Sequence, residues 1–196
     1  MSYYARPRFR FYPREIADIA IALVFLILAL SMLMGGYTNF WSLIPLSSLA
    51  VLTGFFLHEM AHKYMAFRYG FPAAFKAWYL GLFIALASAL MHFLFAAPGA
   101  VVVYGMPSKR ENGIISAAGP SMNIALGFAL ISSLFFVPYS IGVMMWYVAY
   151  FNFFLAFFNL LPIPTMDGSK ILRWNPAIYI ALMILSIAGI AVVYIL

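Results

Sequence analysis

The sequence predicts an all-α polytopic membrane protein, a bundle of about six apolar segments of which five make net crossings. Three observations predict it. Of the 196 residues, 66% are hydrophobic and only 8% charged, against about 25% charged in a soluble domain. The mean hydropathy is +1.01. The apolar residues gather into runs near the roughly 20 residues that a bilayer-spanning helix needs, with Lys and Arg in small groups between them. The net charge of +6 therefore reads as a topology signal, and no nucleic-acid partner is expected. Membrane lipid is the expected surrounding. The absence of cysteine removes disulfides, thiolate nucleophiles and thiolate metal ligands together. The size suits one membrane-embedded domain over residues 1–196 without a soluble regulatory domain.

Each element follows from local chemistry. Met1–Arg14 sets Arg6, Arg8, Arg10 and Arg14 among Tyr, Phe and Pro, a basic, aromatic arm suited to the headgroup layer. The first apolar run, about Glu15–Met34, carries Glu15 and Asp18 at its start, where the helix dipole favours acids, and Gly35-Gly36 stop it. No small-x-small site follows a short apolar core, so the run reads as a span and not as a removed signal peptide. Gly35–Pro45 is an uncharged connection with interfacial Tyr37, Phe40 and Trp41. The next helix, about Ser47–Tyr69, is closed by Gly70 and Pro72.

After FPAAFK comes the apolar run Ala77–Ala97, then Pro98-Gly99 and a β-branched, strand-like piece, Ala100–Tyr104. Gly105–Gly113 is a polar loop. Ile114–Val137 spans and carries Gly119-Pro120 and Asn123 in its interior. Pro138 and Tyr139 turn the chain into Ser140–Phe158. The string NLLPIPTMDG, Asn159–Gly168, follows. Pro162 and Pro164 cannot continue a helix, and irregular backbone at membrane depth requires protein or a water-filled cavity around it. Asn175-Pro176 supply an N-cap and first turn for the last helix, Pro176–Leu196.

Topology turns on Ala77–Ala97. With no net crossing there, all 11 Lys and Arg residues fall on one side, as the positive-inside bias favours. The expectation is five net crossings, a cytoplasmic N-terminus, an external C-terminus and a re-entrant or interfacial segment at about Ala77–Met106. One route is a helix of 20-odd residues descending about 30 Å and an extended return over Ala97–Met106. The returning strand needs hydrogen-bond partners and can offer an edge to an extended peptide.

The chemistry concentrates in LHEMAHKYMAFRY, Leu57–Tyr69. His58 and His62, four apart, project from one helix face where two imidazoles can share a metal ion, and Glu59 sits beside them. H-E-x-x-H is the arrangement in which zinc lowers the pKa of a bound water and the glutamate takes its proton. The reaction class implied is metal-assisted hydrolysis of an amide. A third ligand is needed. Of the five acids, Glu15 and Asp18 open a helix and Glu111 lies in a charged loop, which leaves Asp167 as the leading candidate. His92 is the rival, although a lone histidine on a membrane helix is more often structural. His58 lies roughly 18 Å from Gly70 and Asn123 roughly 15 Å from Gly113 along their helices, so the two share a depth.

HEMAH at His58–His62 and NLLPIPTMDG at Asn159–Gly168, in that order with AAGPSMN at Ala117–Asn123 between them, resemble the signature motifs of the site-2 proteases, zinc metalloproteases that cleave within the membrane. The resemblance covers Leu57–Tyr69 and Gly113–Leu172. It implies His58, His62 and Asp167 as ligands of one zinc ion and Glu59 as general base and acid. It also implies Asn159, Pro162 and Pro164 as holders of an extended substrate strand, and Asn123 as a polar contact near the reacting carbonyl. The substrate implied is a membrane-spanning protein or peptide. Met166 and Ser169 replace the usual Leu and second Gly of L-D-G-G, and Ala77–Ala97 is additional to a minimal core. Two other readings of the same polar residues are a divalent-metal transporter with a midplane site and a non-catalytic scaffold. Transport has no need of a glutamate beside the first histidine, whereas hydrolysis needs a base.

Overall fold

Five helices long and apolar enough to cross a membrane make up the bundle: Pro13–Gly35, Phe40–Arg68, Lys109–Phe136, Tyr139–Asn159 and Pro176–Ile195. The structure, a computed structural model, describes residues 9–195. The arm before Phe9, with Arg6 and Arg8, and Leu196 lie outside the described residues. Helix α1 (Pro13–Gly35) starts with Pro at its first position, where the missing N–H costs nothing. The second span begins earlier than the sequence indicates, at Phe40, with Pro45 inside it. A proline near the helix start removes few ladder bonds. This span is α2 (Phe40–Val51), a π-helical turn (Leu52–Phe56) and α3 (Leu57–Arg68) in one run.

The segment at Ala77–Met106 makes no net crossing. Strands β1 (Ala73–Ala77) and β2 (Gly99–Val103) pair antiparallel with Ala77 opposite Gly99, and Trp78 N–H donates to Pro98 O at 3.1 Å. The excursion between them therefore ends where it began. Its helix α4 (Tyr79–Leu90) has only 12 residues, about 18 Å. The expected 20-odd-residue helix is thus too long, because the chain turns at Met91 and His92, the latter at φ 59°.

Helix α5 (Lys109–Ser133) also starts before the expected Ile114. Ser108 caps it, accepting from Glu111 N–H while Glu111 bonds back to Ser108 N–H, a capping box. Helices α6 (Tyr139–Asn159), α7 (Asp167–Trp174) and α8 (Pro176–Ile195) complete the chain. Small residues let the helices approach: Ala22 and Ala29 of α1 and Ala149 and Ala156 of α6 are fully buried. One apolar core joins α1, α2, β1, α4 and α6, and a second joins α5, α6, α7 and α8. A smaller one, Ala66, Ala73 and Ile115, lies under the hairpin.

Candidate metal centre

Helix α3 presents His58 and His62 one turn apart, with their Nε2 atoms 3.0 Å from each other. Each ring is held from behind by α5. His62 Nδ1 lies 2.8 Å from the Ile115 carbonyl oxygen, which can only accept, so Nδ1 carries the proton. His58 Nδ1 lies 2.8 Å from Asn123 Oδ1, while Asn123 Nδ2 donates to Gly54 O at 2.9 Å. The amide is oriented by Gly54, its oxygen faces His58, and that Nδ1 is a donor too. With Nδ1 as the donor, a neutral ring presents its Nε2 lone pair on the side away from α5, and the two Nε2 atoms face each other there.

Asp167 brings a third donor. Its Oδ2 is 3.1 Å from His62 Nε2 and 3.4 Å from His58 Nε2, and the three ligand atoms lie within 4.8 Å of one another, all on buried residues. Asp167 is the first residue of α7, not part of an irregular stretch as expected. A Cβ on Gly168 would meet Leu160 O at 2.0 Å, so only glycine lets α7 begin against the end of α6. Ser169 Oγ donates to the Pro164 and Met166 carbonyls, and Lys170 Nζ lies 3.6 Å from Asp167 Oδ1.

Two lone pairs and a carboxylate oxygen at these separations need a proton or a cation between them. Two imidazole nitrogens and one carboxylate oxygen are a donor set that suits zinc with a fourth position open. The space is shaped accordingly. A Cβ at Gly119 of α5 would lie 2.4 Å from His62 Nε2 and 2.6 Å from His58 Nε2, so the glycine leaves clear the volume that both donors face. The residues fit a metal ion.

Glu59 is buried beside the pair on α3, and its Oε2 accepts from Val101 N–H of β2 at 2.8 Å. Asn159 is half-buried at the end of α6, with Nδ2 donating to Leu155 O, and Pro162 and Pro164 are exposed on the connection leading to Asp167. Asn123 is 0% exposed, and its bonds to His58 and Gly54 place it behind the His58 ring. Its contacts are with the His58 ring and the Gly54 carbonyl. His92 is exposed and is not in the cluster. Sequence reasoning missed Ile115, Gly119, Ser169 and Val101. Three of these act through backbone or absent atoms, and only AAGPSMN hinted at Gly119.

Fold and site together define a membrane-embedded protein with a candidate two-histidine, one-carboxylate metal centre. Residues 138–178, which include NLLPIPTMDG, match peptidase family M50. The chain is 42% identical over 179 residues, 87% of its own length and 90% of the relative's, to "Putative zinc metalloprotease MJ0611" of Methanocaldococcus jannaschii. It is 29% identical over 152 residues, 67% of its length and 69% of the relative's, to "Putative zinc metalloprotease YwhC" of Bacillus subtilis. No solved structure matches. The chain belongs to peptidase family M50, the site-2 protease family, and is a metalloprotease.

Proposed function

We propose that this chain is an intramembrane zinc endopeptidase that hydrolyses peptide bonds of membrane-spanning substrates, with His58, His62 and Asp167 holding the ion and Glu59 as base. The observation that carries the reading is the pair of Nε2 atoms converging on the Asp167 oxygen at 3.1 and 3.4 Å. Bound there, zinc supplies Lewis acidity, which makes water a nucleophile near neutral pH and polarises a carbonyl. Glu59 takes the proton from the attacking water as its oxygen bonds to the scissile carbonyl carbon, then delivers it to the departing amide nitrogen. Among the described residues only Val101 N–H engages the Glu59 carboxylate, at Oε2, which leaves Oε1 for this proton. Asn123 and the Ile115 carbonyl keep both imidazoles in the tautomer and orientation that ligation requires.

An amide inside a substrate helix is spent on its own hydrogen bond, so the substrate must be extended before its carbonyl is reached. The exposed Pro162-Ile163-Pro164 backbone is a surface available to pair with such a strand, and Asn159 adds a side-chain amide next to it. The residues form a single membrane-embedded domain, in the cell membrane. The basic residues of the described chain gather at the end where α1 starts, α3 ends and α5 starts, which supports a cytoplasmic N-terminus and an external C-terminus.

The test is Glu59→Gln. Cleavage of a membrane-spanning peptide by the purified protein disappears while zinc stays bound, because the substitution removes the proton acceptor and no ligand. Wild-type cleavage by that variant would end the mechanism.

A further inference from the structure

The hairpin is gripped along both edges by carboxylates, and the two grips meet on the catalytic helix. Tyr104 N–H donates to Pro72 O at 2.8 Å and Trp78 N–H to Pro98 O at 3.1 Å. With the register Ala74 opposite Val102 and Lys76 opposite Ala100, the even-numbered residues of β1 make the ladder bonds. Phe75 and Val101, opposite each other, form a non-hydrogen-bonded pair whose N–H groups point away from one another. Val101 N–H meets Glu59 at 2.8 Å. Phe75 N–H meets Glu15 Oε1 of α1 at 3.0 Å, and Ala77 N–H, two residues on, meets Asp18 Oδ2 at 3.2 Å. The two acids of α1 stand where the carbonyls of a third strand would be.

Glu15 is also tied to α3. Its Oε1 lies 2.5 Å from Lys63 Nζ, and the two residues are 3% and 2% exposed. Lys63 Nζ donates further to Arg10 O at 2.9 Å and lies 4.1 Å from the centre of the Phe11 ring. Asp18 Oδ1 accepts from Tyr79 OH at 2.5 Å, a bond that pushes the tyrosine hydroxyl up. Glu59 and Lys63 are four apart on α3, on one face. A closed ring results: Glu59 to Val101, across the pair to Phe75, to Glu15, to Lys63, and one turn of helix back to Glu59. A buried ion pair is a weak source of stability, whereas one that fixes two elements in register fits this placement.

We propose that Glu15, Lys63 and Asp18 are positioning residues that hold the β1–β2 hairpin in register over Glu59, fixing the β1 edge as Glu59 fixes Val101 N–H of β2. The proposal rests on the proteolytic reading above, with the hairpin setting the position of Glu59 through Val101 N–H. Asp18 and Glu15 act through the backbone of β1 and touch no reacting atom.

The experiment compares two double variants in which both buried charges leave together. Glu15→Gln/Lys63→Met keeps an oxygen for Phe75 N–H, whereas Glu15→Leu/Lys63→Met removes it. Spin labels on cysteines replacing exposed Tyr64 of α3 and Val102 of β2, in this cysteine-free chain, report the helix-to-hairpin distance by pulsed electron resonance. Cleavage of a membrane-spanning peptide and zinc content are measured beside it. The leucine variant is expected to broaden the distance distribution and to lose at least tenfold in kcat with zinc content unchanged, and the glutamine variant to recover most of both. Equal behaviour of the two variants, or a wild-type distance and kcat in the leucine variant, overturns the proposal. If the leucine variant does not fold, Asp18→Leu replaces it, because it removes the acceptor of Ala77 N–H without stranding an ammonium. The same broadening is expected there, and an unchanged distance overturns the proposal equally. The distance readout decides the positioning role even if the protein cleaves nothing, an outcome that would count against the proteolytic reading alone.

Discussion

Gly119→Ala adds one methyl group, and the structure says where it goes. The new Cβ would stand 2.4 Å from His62 Nε2 and 2.6 Å from His58 Nε2 and Cε1. Ordinary contact begins near 3.4 Å, so the rings or α5 must separate by roughly 1 Å. The rings are not free to do so, since Asn123 and the Ile115 carbonyl hold them at 2.8 Å from α5 itself. A shift of that size breaks one or both bonds. Overpacking a tight site costs about 1–3 kcal/mol, which is about 5- to 150-fold in affinity, and here the methyl also occupies the volume that the donors face. We expect zinc in the purified variant to fall below about a tenth of the wild-type stoichiometry by elemental analysis. Cleavage falls in proportion. Global helicity is retained, because alanine is the better helix former by about 1 kcal/mol, which offsets part of the packing cost. Wild-type zinc content in Gly119→Ala would refute the placement of the ion between these three donors.

Asp167→Ala lowers zinc content and activity together, whereas His92→Ala leaves the metal in place; the reverse pattern in elemental analysis would reassign the third ligand. Asn123→Ala weakens zinc binding by about 10- to 100-fold, the range for residues that orient a ligand, and competition with a fluorescent chelator measures it. An unchanged affinity would leave Asn123 without the role assigned here. In intact cells, a cysteine replacing Ser108 stays unlabelled by a membrane-impermeant thiol reagent and one near the end of α8 is labelled, as five crossings with a re-entrant hairpin require. Labelling of the residue-108 variant from outside contradicts that topology.

The candidate metal centre was legible in the sequence because its chemistry is carried by scarce residues. With three histidines and five acids in the chain, H-E-x-x-H and the exclusion of the other acids single out Asp167. The depth argument linking His58 and Asn123 is realised as a 2.8 Å contact. The spans were legible from hydropathy, but their ends were not where apolarity continues past the turn. Leu90-Met91-His92-Phe93 carries no Gly or Pro, so nothing in the run marks the end of α4. Strand β1, Ala-Ala-Phe-Lys-Ala, lacks β-branched residues and is a strand only because β2 and the α1 carboxylates bond its backbone, a tertiary cause that overrides propensity. The Ser108–Glu111 capping box was present in the sequence as S-K-R-E and moves the start of α5 forward. The π-helical turn at Leu52–Phe56 has no local signature. Its wide turn is met by side chains distant in sequence, Asn123 on Gly54 O and Asn152 on Thr53 Oγ1.

The central claim is tested most directly by incubating the purified protein in bilayers with a peptide that spans the membrane once, before and after removal of metal with a chelator. The account predicts cleavage within the spanning segment, its loss on chelation and its return when zinc is added back. Cleavage that persists in the fully metal-depleted protein would contradict it.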